Sequence, residues 1–168
     1  VAHTLINRHH CIINPNDYEG YGENTWGLTS SYSVPGAAAF VRGQVDEKPS
    51  TGNSDQAGYA GHRPSFDLGV ITPTAALSSM PYAPKEVVPV VRHFYENLGD
   101  KLWGPYGFYD AFSEEYEWYP ERYLAIDQGP IPVMIENHRT GLIWDLFMQD
   151  ADVQKGLKEL GFSSPHLK

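Results

Sequence analysis

Apolar residues recur at helical spacing from the start of the chain, at Ala2, Leu5, Ile6, Ile12 and Ile13 with His9 on the same face, and predict a helix over 2–13. Pro15 disfavours helical backbone at Asn14, so the helix ends there. The next periodic stretch begins at Thr72, a cap followed by Pro73 in the first turn, and gives a short helix stopped by Pro81. Pro84 opens another, with Val87, Val88, Val91, Phe94, Tyr95 and Leu98 as its buried stripe and Gly99 as its C-cap. Pro89 inside it is expected to kink the helix or confine its regular part to the second half. A long helix follows from Gly129-Pro130. Ile131, Val133, Met134, Ile135, Leu142, Ile143, Trp144 and Phe147 lie nearly all round it, which predicts burial on most sides. Glu136, Asn137, His138 and Arg139 interrupt it and need hydrogen-bond partners or a wet cavity. Asp150 caps a last helix that runs to Gly161, and residues 163–168 read as a loose tail.

Polar positions dominate between the first helix and Thr72. Residues 18–36 form a loop rich in glycine and aromatics, where Glu23 lies close to Tyr21 and Trp26. Such a loop can present an acid with two stacking faces, and a surface turn with ordinary tyrosines fits the spacing equally well. Residues 36–70 carry many Gly, Pro, Ser, Asn and Asp and little periodicity, so a functional loop such as a lid, or a mobile one, is expected. His62 and Arg63 within it are expected to be solvated. Strand signals are weak and confined to the loops. The fold class is therefore mainly α, as helical hairpins joined by long aromatic-rich loops.

The net charge of −9, with Lys and Arg scattered singly, argues against nucleic acid as a partner. No apolar run approaches a membrane span. The single Cys11 excludes an internal disulfide. His9, His10 and Cys11 are adjacent on a helix and point in different directions, and no second cluster completes a metal site, so a structural role is expected. No cofactor and no metal is expected. At 168 residues the length suits one domain, yet V-A-H-T-L-I begins like a helix already under way and reads as part of something longer.

Candidate chemistry concentrates between Trp103 and Trp144. Aromatics and carboxylates alternate there through Tyr106, Phe108, Tyr109, Asp110, Phe112, Trp118, Tyr119, Tyr123 and Asp127. Rings stack on pyranose faces and carboxylates bind hydroxyls or move protons, so this is the composition of a sugar site. It is also the composition of an aromatic core with surface acids. Asp110 and Asp127 stand apart because each is set in apolar sequence, F-Y-D-A-F and L-A-I-D-Q-G-P, where an acid is costly unless paired or used. Asp110 suits a sugar hydroxyl, or, slightly better, nearby backbone N–H groups. Asp127 before Gly129-Pro130 reads on local grounds as a helix cap.

The blocks Y-G-E-N-T-W-G-L-T-S-S, I-T-P-T-A-A-L-S-S-M-P-Y, L-W-G-P-Y-G-F-Y-D-A-F, Y-L-A-I-D-Q-G-P and M-I-E-N-H-R-T-G-L-I-W-D-L-F-M together resemble the bacterial glucoamylase-like domain family, which includes endo-β-1,2-glucanases and a domain of cyclic β-1,2-glucan synthases. The resemblance spans residues 10–162 and implies the C-terminal half of an (α/α)6 toroid, with the N-terminal half of the domain as a partner and a large apolar face wherever that half is absent. It implies an inverting hydrolase of a β-glucan, an oligo- or polysaccharide substrate, a periplasmic or secreted location, and Asp127 as the general base. No block matches the family's proton donor, which is expected upstream. Glu23, Trp26, Tyr106, Tyr109, Asp110, Tyr123 and Gln128 are the candidate substrate-binding residues. Trp26, Tyr106, Tyr109 and Tyr123 are expected to share one cleft. Pro105 stands where the family pattern leads one to expect an acid, and Y-S-V-P-G, residues 37–66 and D-L-G-V-I depart from it in loops that line the cleft. Two other functions compete: transglycosylation to short or cyclic glucans, which needs a retaining geometry, and a non-catalytic glucan-binding module.

Overall fold

In the computed structural model of the protein, which describes residues 1–164 and 167, the chain begins with α1 (Ala2–Ile13). Asn14 ends it in the left-handed region, φ 47°, and its side chain bonds both the N–H and the carbonyl of Tyr18, so the turn into the next loop is fixed by one residue. Asn7 clamps Leu28 in the same two-sided way, at 2.9 and 3.0 Å. His10 and Cys11 have the structural roles expected. His10 Nε2 lies 2.8 Å from Asp67 Oδ2, and Cys11 is buried in the core, where loss of solvent pushes its thiol up to about 12.

Residues 36–70 are more ordered than their composition suggests. β1 (Ser30–Ser33) pairs antiparallel with β2 (Gly58–Gly61) in the register Ser30↔Gly61 to Ser33↔Gly58, and α2 (Ala37–Val41) lies between them. Ser, Gly and Ala carry little strand propensity, so the ribbon left no periodic trace in the sequence. It brings His62 into the interior, 3% exposed, and the expected solvated position is wrong for that residue; Arg63 is exposed.

α3 (Pro73–Leu77) and α4 (Pro84–Glu96) follow, and α4 runs unbroken through Pro89. Its buried positions are Val87, Val90 and Phe94, whereas Val88 and Tyr95 face outward, so the buried face is rotated from the expected stripe. Gly99 is not its cap. Asn97 ends α4, and Gly99 opens the single turn α5 (Gly99–Leu102), which feeds the hairpin β3 (Trp103–Gly104) and β4 (Gly107–Phe108).

Two clusters form the core. One gathers α1, α3, α4 and the hairpin around Phe94, whose ring meets Phe108 and Phe112 edge-on with centroids 6.2 and 5.4 Å apart. Each such side chain contributes about 1.5–3 kcal/mol on burial. The other packs Leu68, Val70, Ala111, Tyr116 and Trp118 under the β1–β2 ribbon. A backbone bridge joins Ile71 and Phe112 of the first cluster, whose chain neighbours Val70 and Ala111 belong to the second.

After α6 (Ala125–Gln128), the expected long helix is two helices. α7 (Pro130–Thr140) ends at Gly141, which adopts φ 74° and starts α8 (Leu142–Met148). Asn137 secures the break, its Oδ1 accepting from Trp144 N at 3.0 Å. Of the four polar residues expected as a buried belt only Asn137 is buried; His138 and Arg139 are exposed, and Glu136 pairs with Arg139 at 3.1 Å. Nor is this segment buried on most sides. α8 buries none of its residues and leaves Leu142, Ile143, Trp144, Leu146 and Phe147 open. α9 (Ala151–Glu159) closes the description, with Asp150 accepting from the N–H groups of Asp152 and Val153. The expected loose tail lies partly outside the described residues, which omit 165, 166 and 168. Among them, no helix is long and apolar enough to cross a membrane.

Candidate active site

Asp110 and Asp127 lie 17 positions apart in sequence, and the fold joins them. The Ile71–Phe112 bridge fixes the strand-like segment just after Asp110, and Asp110 N donates to Arg122 O at 2.9 Å on its other side. α6 delivers Asp127, held by Asp127 N to Leu124 O at 3.0 Å and by Gln128, whose amide donates to Phe108 O at 2.8 Å. Asp110 is 1% exposed and Asp127 8%. The two carboxyl groups lie near enough to perturb each other's ionisation. Asp110 Oδ2 accepts from Tyr32 N at 2.8 Å, while Asp110 Oδ1 and Asp127 Oδ2 are buried without a hydrogen-bond partner.

Asp127 caps no helix. It sits inside α6, and the cap position of α7 is Gly129, so the local reading as an N-cap is wrong. Among the described residues no Lys, Arg or His forms an ion pair with either acid. Loss of solvent therefore dominates both. It pushes Asp110 up to about 7, opposed by the Tyr32 N–H and reinforced by Asp127. It also raises Asp127, where the hydrogen bond from Asp110 acts in the opposite direction. The titration of the pair belongs to both groups.

Beside the acids stands a wall of tyrosines. Tyr123 meets Tyr106 at 5.5 Å and Tyr109 at 5.1 Å between centroids, and Tyr106 is 79% exposed. Gly104 is the floor of this wall, since a Cβ there would come within 2.2 Å of the Tyr123 hydroxyl and 2.7 Å of the Tyr109 ring. Trp103, half exposed and packed edge-on against Phe108 and Tyr95, extends the aromatic surface. With Tyr106 and Gln128 it borders a largely apolar cavity of about 740 Å³ between α4 and α7.

Trp26 does not belong to this wall. It is fully buried in the main core with Leu28, Ile71 and Ala76, and its expected stacking role is overturned. The cause is close backbone approach at Gly27, φ 144°, where a Cβ would lie 2.6 Å from Thr72 O; the loop is pressed inward and takes Trp26 with it. Tyr21 likewise turns in, its hydroxyl 2.7 Å from Asp67. Glu23 is exposed at the tip of the Gly22–Thr25 turn and makes no hydrogen bond or ion pair among the described residues, so that loop presents no acid between two rings.

Several residues near the acids carried no signal in the sequence. Arg122 lies over the Tyr32 ring at 5.8 Å and donates to Asp55 O at 2.9 Å. Arg122 and Asp55 line, with Ser54, Tyr119 and Glu121, a polar recess of about 490 Å³. Glu121 also flanks Tyr109, whose phenol is raised by loss of solvent first and by the Glu121 and Tyr123 groups beside it. The Arg122 contacts to Tyr32 and Asp55 and the Tyr119 contact to Ser54 bridge more than sixty positions, which no local spacing encodes. Among the described residues no three His, Cys, Asp or Glu side chains converge as metal ligands.

The chain is 56% identical to a solved structure from Bacteroides uniformis described as a "putative glucoamylase", with a TM-score of 0.83 over 99% of this chain and 35% of that one. It is 50% identical to the endo-beta-1,2-glucanase of Chitinophaga pinensis, solved with sophorotriose and glucose, with a TM-score of 0.81 over 98% and 35%. A curated relative, the exo beta-1,2-glucooligosaccharide sophorohydrolase (non-reducing end) of Parabacteroides distasonis, is 39% identical over 92% of this chain and 19% of its own length. The chain thus spans about a third of these solved structures and a fifth of that relative. The family model described as "Putative glucoamylase" matches residues 1–151, and the chain belongs to this glucoamylase-like family.

Proposed function

We propose that the protein carrying this chain hydrolyses a β-1,2-linked glucan, with Asp127 as the general base that activates water. The observation that carries the reading is Asp127 itself: a nearly buried carboxyl, raised by loss of solvent, capping no helix, with its Oδ2 buried without a hydrogen-bond partner. A base in such a place is positioned by rigid neighbours and poised toward neutral pH. The names of the relatives supply the linkage.

Asp110 does not serve as the proton donor of this pair. Its N–H is bonded to Arg122 O and its Oδ2 accepts from Tyr32 N, so backbone contacts occupy it, whereas an inverting enzyme's acid stands about 6.5–9.5 Å from its base across the bound sugar. The donor then comes from outside these 168 residues, the mechanism is inverting, the helices belong to an (α/α)6 toroid, and the enzyme works in the periplasm or outside the cell. The exposed tyrosines Tyr106, Tyr109 and Tyr123 stack on glucose rings.

Asp127→Asn in the protein at its natural full length tests the proposal. An amide cannot take a proton, so turnover of β-1,2-glucan is expected to fall about 10²–10⁴-fold with the fold intact, read by reducing ends released and by circular dichroism. A near-normal rate would sink the assignment. Reshuffled oligosaccharides in place of new reducing ends would replace hydrolysis by transglycosylation.

A further inference from the structure

We propose that the polar recess between residues 52–56 and 119–122 is a further glucosyl subsite, in which Asp55, Glu121 and Arg122 hold the hydroxyls of a sugar unit beyond the tyrosine wall. This deepens the reading of the protein as a β-1,2-glucan hydrolase and rests on it.

Residues 42–57 form no helix or strand, yet the loop is pinned. Gly52 N donates to Tyr116 O at 2.8 Å, and Tyr119 N to Ser54 Oγ at 2.8 Å. Trp118 Nε1 donates to Gln56 O at 2.9 Å, Arg122 Nη2 donates to Asp55 O at 2.9 Å, and Lys48 pairs with Glu115. The recess therefore has two fixed walls, as a binding site needs before its ligand arrives. Its volume of about 490 Å³ is that of a small-ligand site.

The lining selects the chemistry. Asp55 and Glu121 are exposed and form no ion pair among the described residues. Arg122 gives a terminal N–H to Asp55 O, and its planar fork holds further donors. Two carboxylates against one guanidinium disfavour an anion, and among the described residues no three acids or histidines gather to hold a metal. A neutral ligand with adjacent hydroxyls suits them, because it donates to the carboxylates and accepts from the guanidinium. An internal unit of a β-1,2-glucan is such a ligand: it is linked through two neighbouring carbons, which leaves the vicinal hydroxyls on the far side of its ring free.

The place agrees with the chemistry. Tyr123 follows Arg122 directly and meets the Tyr109 ring at 5.1 Å, so wall and recess share one stretch of backbone. The Arg122 carbonyl in turn accepts from Asp110 N at 2.9 Å. A glucan stacked along the tyrosines thus has the recess as its next position.

The test measures kcat and KM of the full-length wild type, Asp55→Ala and Glu121→Ala on β-1,2-glucooligosaccharides of increasing length, with melting temperatures. Both side chains are exposed, and the bond that pins the loop at Asp55 is made by its carbonyl, so each variant is expected to fold. The loss in kcat/KM should grow with chain length to about tenfold or more and be carried by KM, the mark of binding remote from the reacting bond. A merely structural role would instead lower the rate alike at every length, together with the melting temperature. An equal loss at all lengths, or none at any length, would overturn the subsite. Failure of the underlying reading looks different: the wild type then releases no reducing ends from β-1,2-glucan. Calorimetric titration of the same oligosaccharides still decides the subsite in that case, since a length-dependent loss of affinity in the two variants keeps it and the lack of one ends it.

Discussion

Asp67 offers a sharp test of what holds the entrance of the chain to its core. Its side chain is 1% exposed and accepts three hydrogen bonds, from His10 at 2.8 Å, the Tyr21 hydroxyl at 2.7 Å and Gly69 N at 3.1 Å. These tie α1, the loop of residues 18–28 and the segment before α3 to one carboxyl. Asp67→Ala removes all three and strands their buried donors. Hydrogen bonds to a charged group are worth about 1.5–3 kcal/mol each, and breaking a buried pair costs about 3–5 kcal/mol after relaxation, so a loss near 4 kcal/mol is expected. With m about 2 kcal/mol/M, the urea midpoint of the full-length protein drops by about 2 M at unchanged m. Asp67→Asn is the control. Both Tyr21 and Gly69 bond Oδ1, which an amide keeps, and the new NH₂ faces His10 Nε2, which accepts in the other neutral tautomer. Its loss should stay near about 1 kcal/mol. An Asp67→Ala midpoint within experimental error of wild type, or an Asp67→Asn loss as large as the alanine's, would refute the accounting.

Truncating Tyr106, exposed at the head of the tyrosine wall, is expected to weaken glucan binding by about 1–3 kcal/mol in calorimetry with the melting temperature unchanged. Trp26→Ala should do the reverse, costing about 3–5 kcal/mol of stability by opening the main core; weaker binding at unchanged stability would restore it to the site. His62 is pushed from 6.5 to about 4, first by burial, with the Tyr32 backbone and Asp67 partly opposing. It is neutral in the fold but takes up a proton on unfolding below about pH 6.5, so stability is full above that pH and falls by up to about 3 kcal/mol as pH drops toward 4. His62→Gln should flatten the stability profile in that window, and an unchanged slope would contradict the burial argument.

Local chemistry was legible wherever one residue decides one turn. Asn14 before Pro15, Pro73 and Pro84 at helix starts, and Asp150 as a cap all act through their own backbone geometry, and each boundary stands where the sequence puts it. Gly141 carried the same kind of signal, but the apolar run on both sides of it suggested a continuous helix. The acids were legible for another reason: a carboxyl inside F-Y-D-A-F or L-A-I-D is expensive and draws the eye to itself. Their surroundings were not, because these depend on the Ile71–Phe112 bridge and on β1, both distant in sequence. Trp26 was misplaced because E-N-T-W-G reads as a loop, and only the approach of Gly27 to Thr72 shows that the loop folds inward.

The donor from β1 to Asp110 is a main-chain N–H, which has a bearing on how the protein can diverge. Every residue except proline supplies that group, so the support of the acid pair does not depend on which side chain stands at position 32. The side chains of the ribbon and of the recess beside it are then free to vary while the hydrogen bond that holds Asp110 is inherited intact.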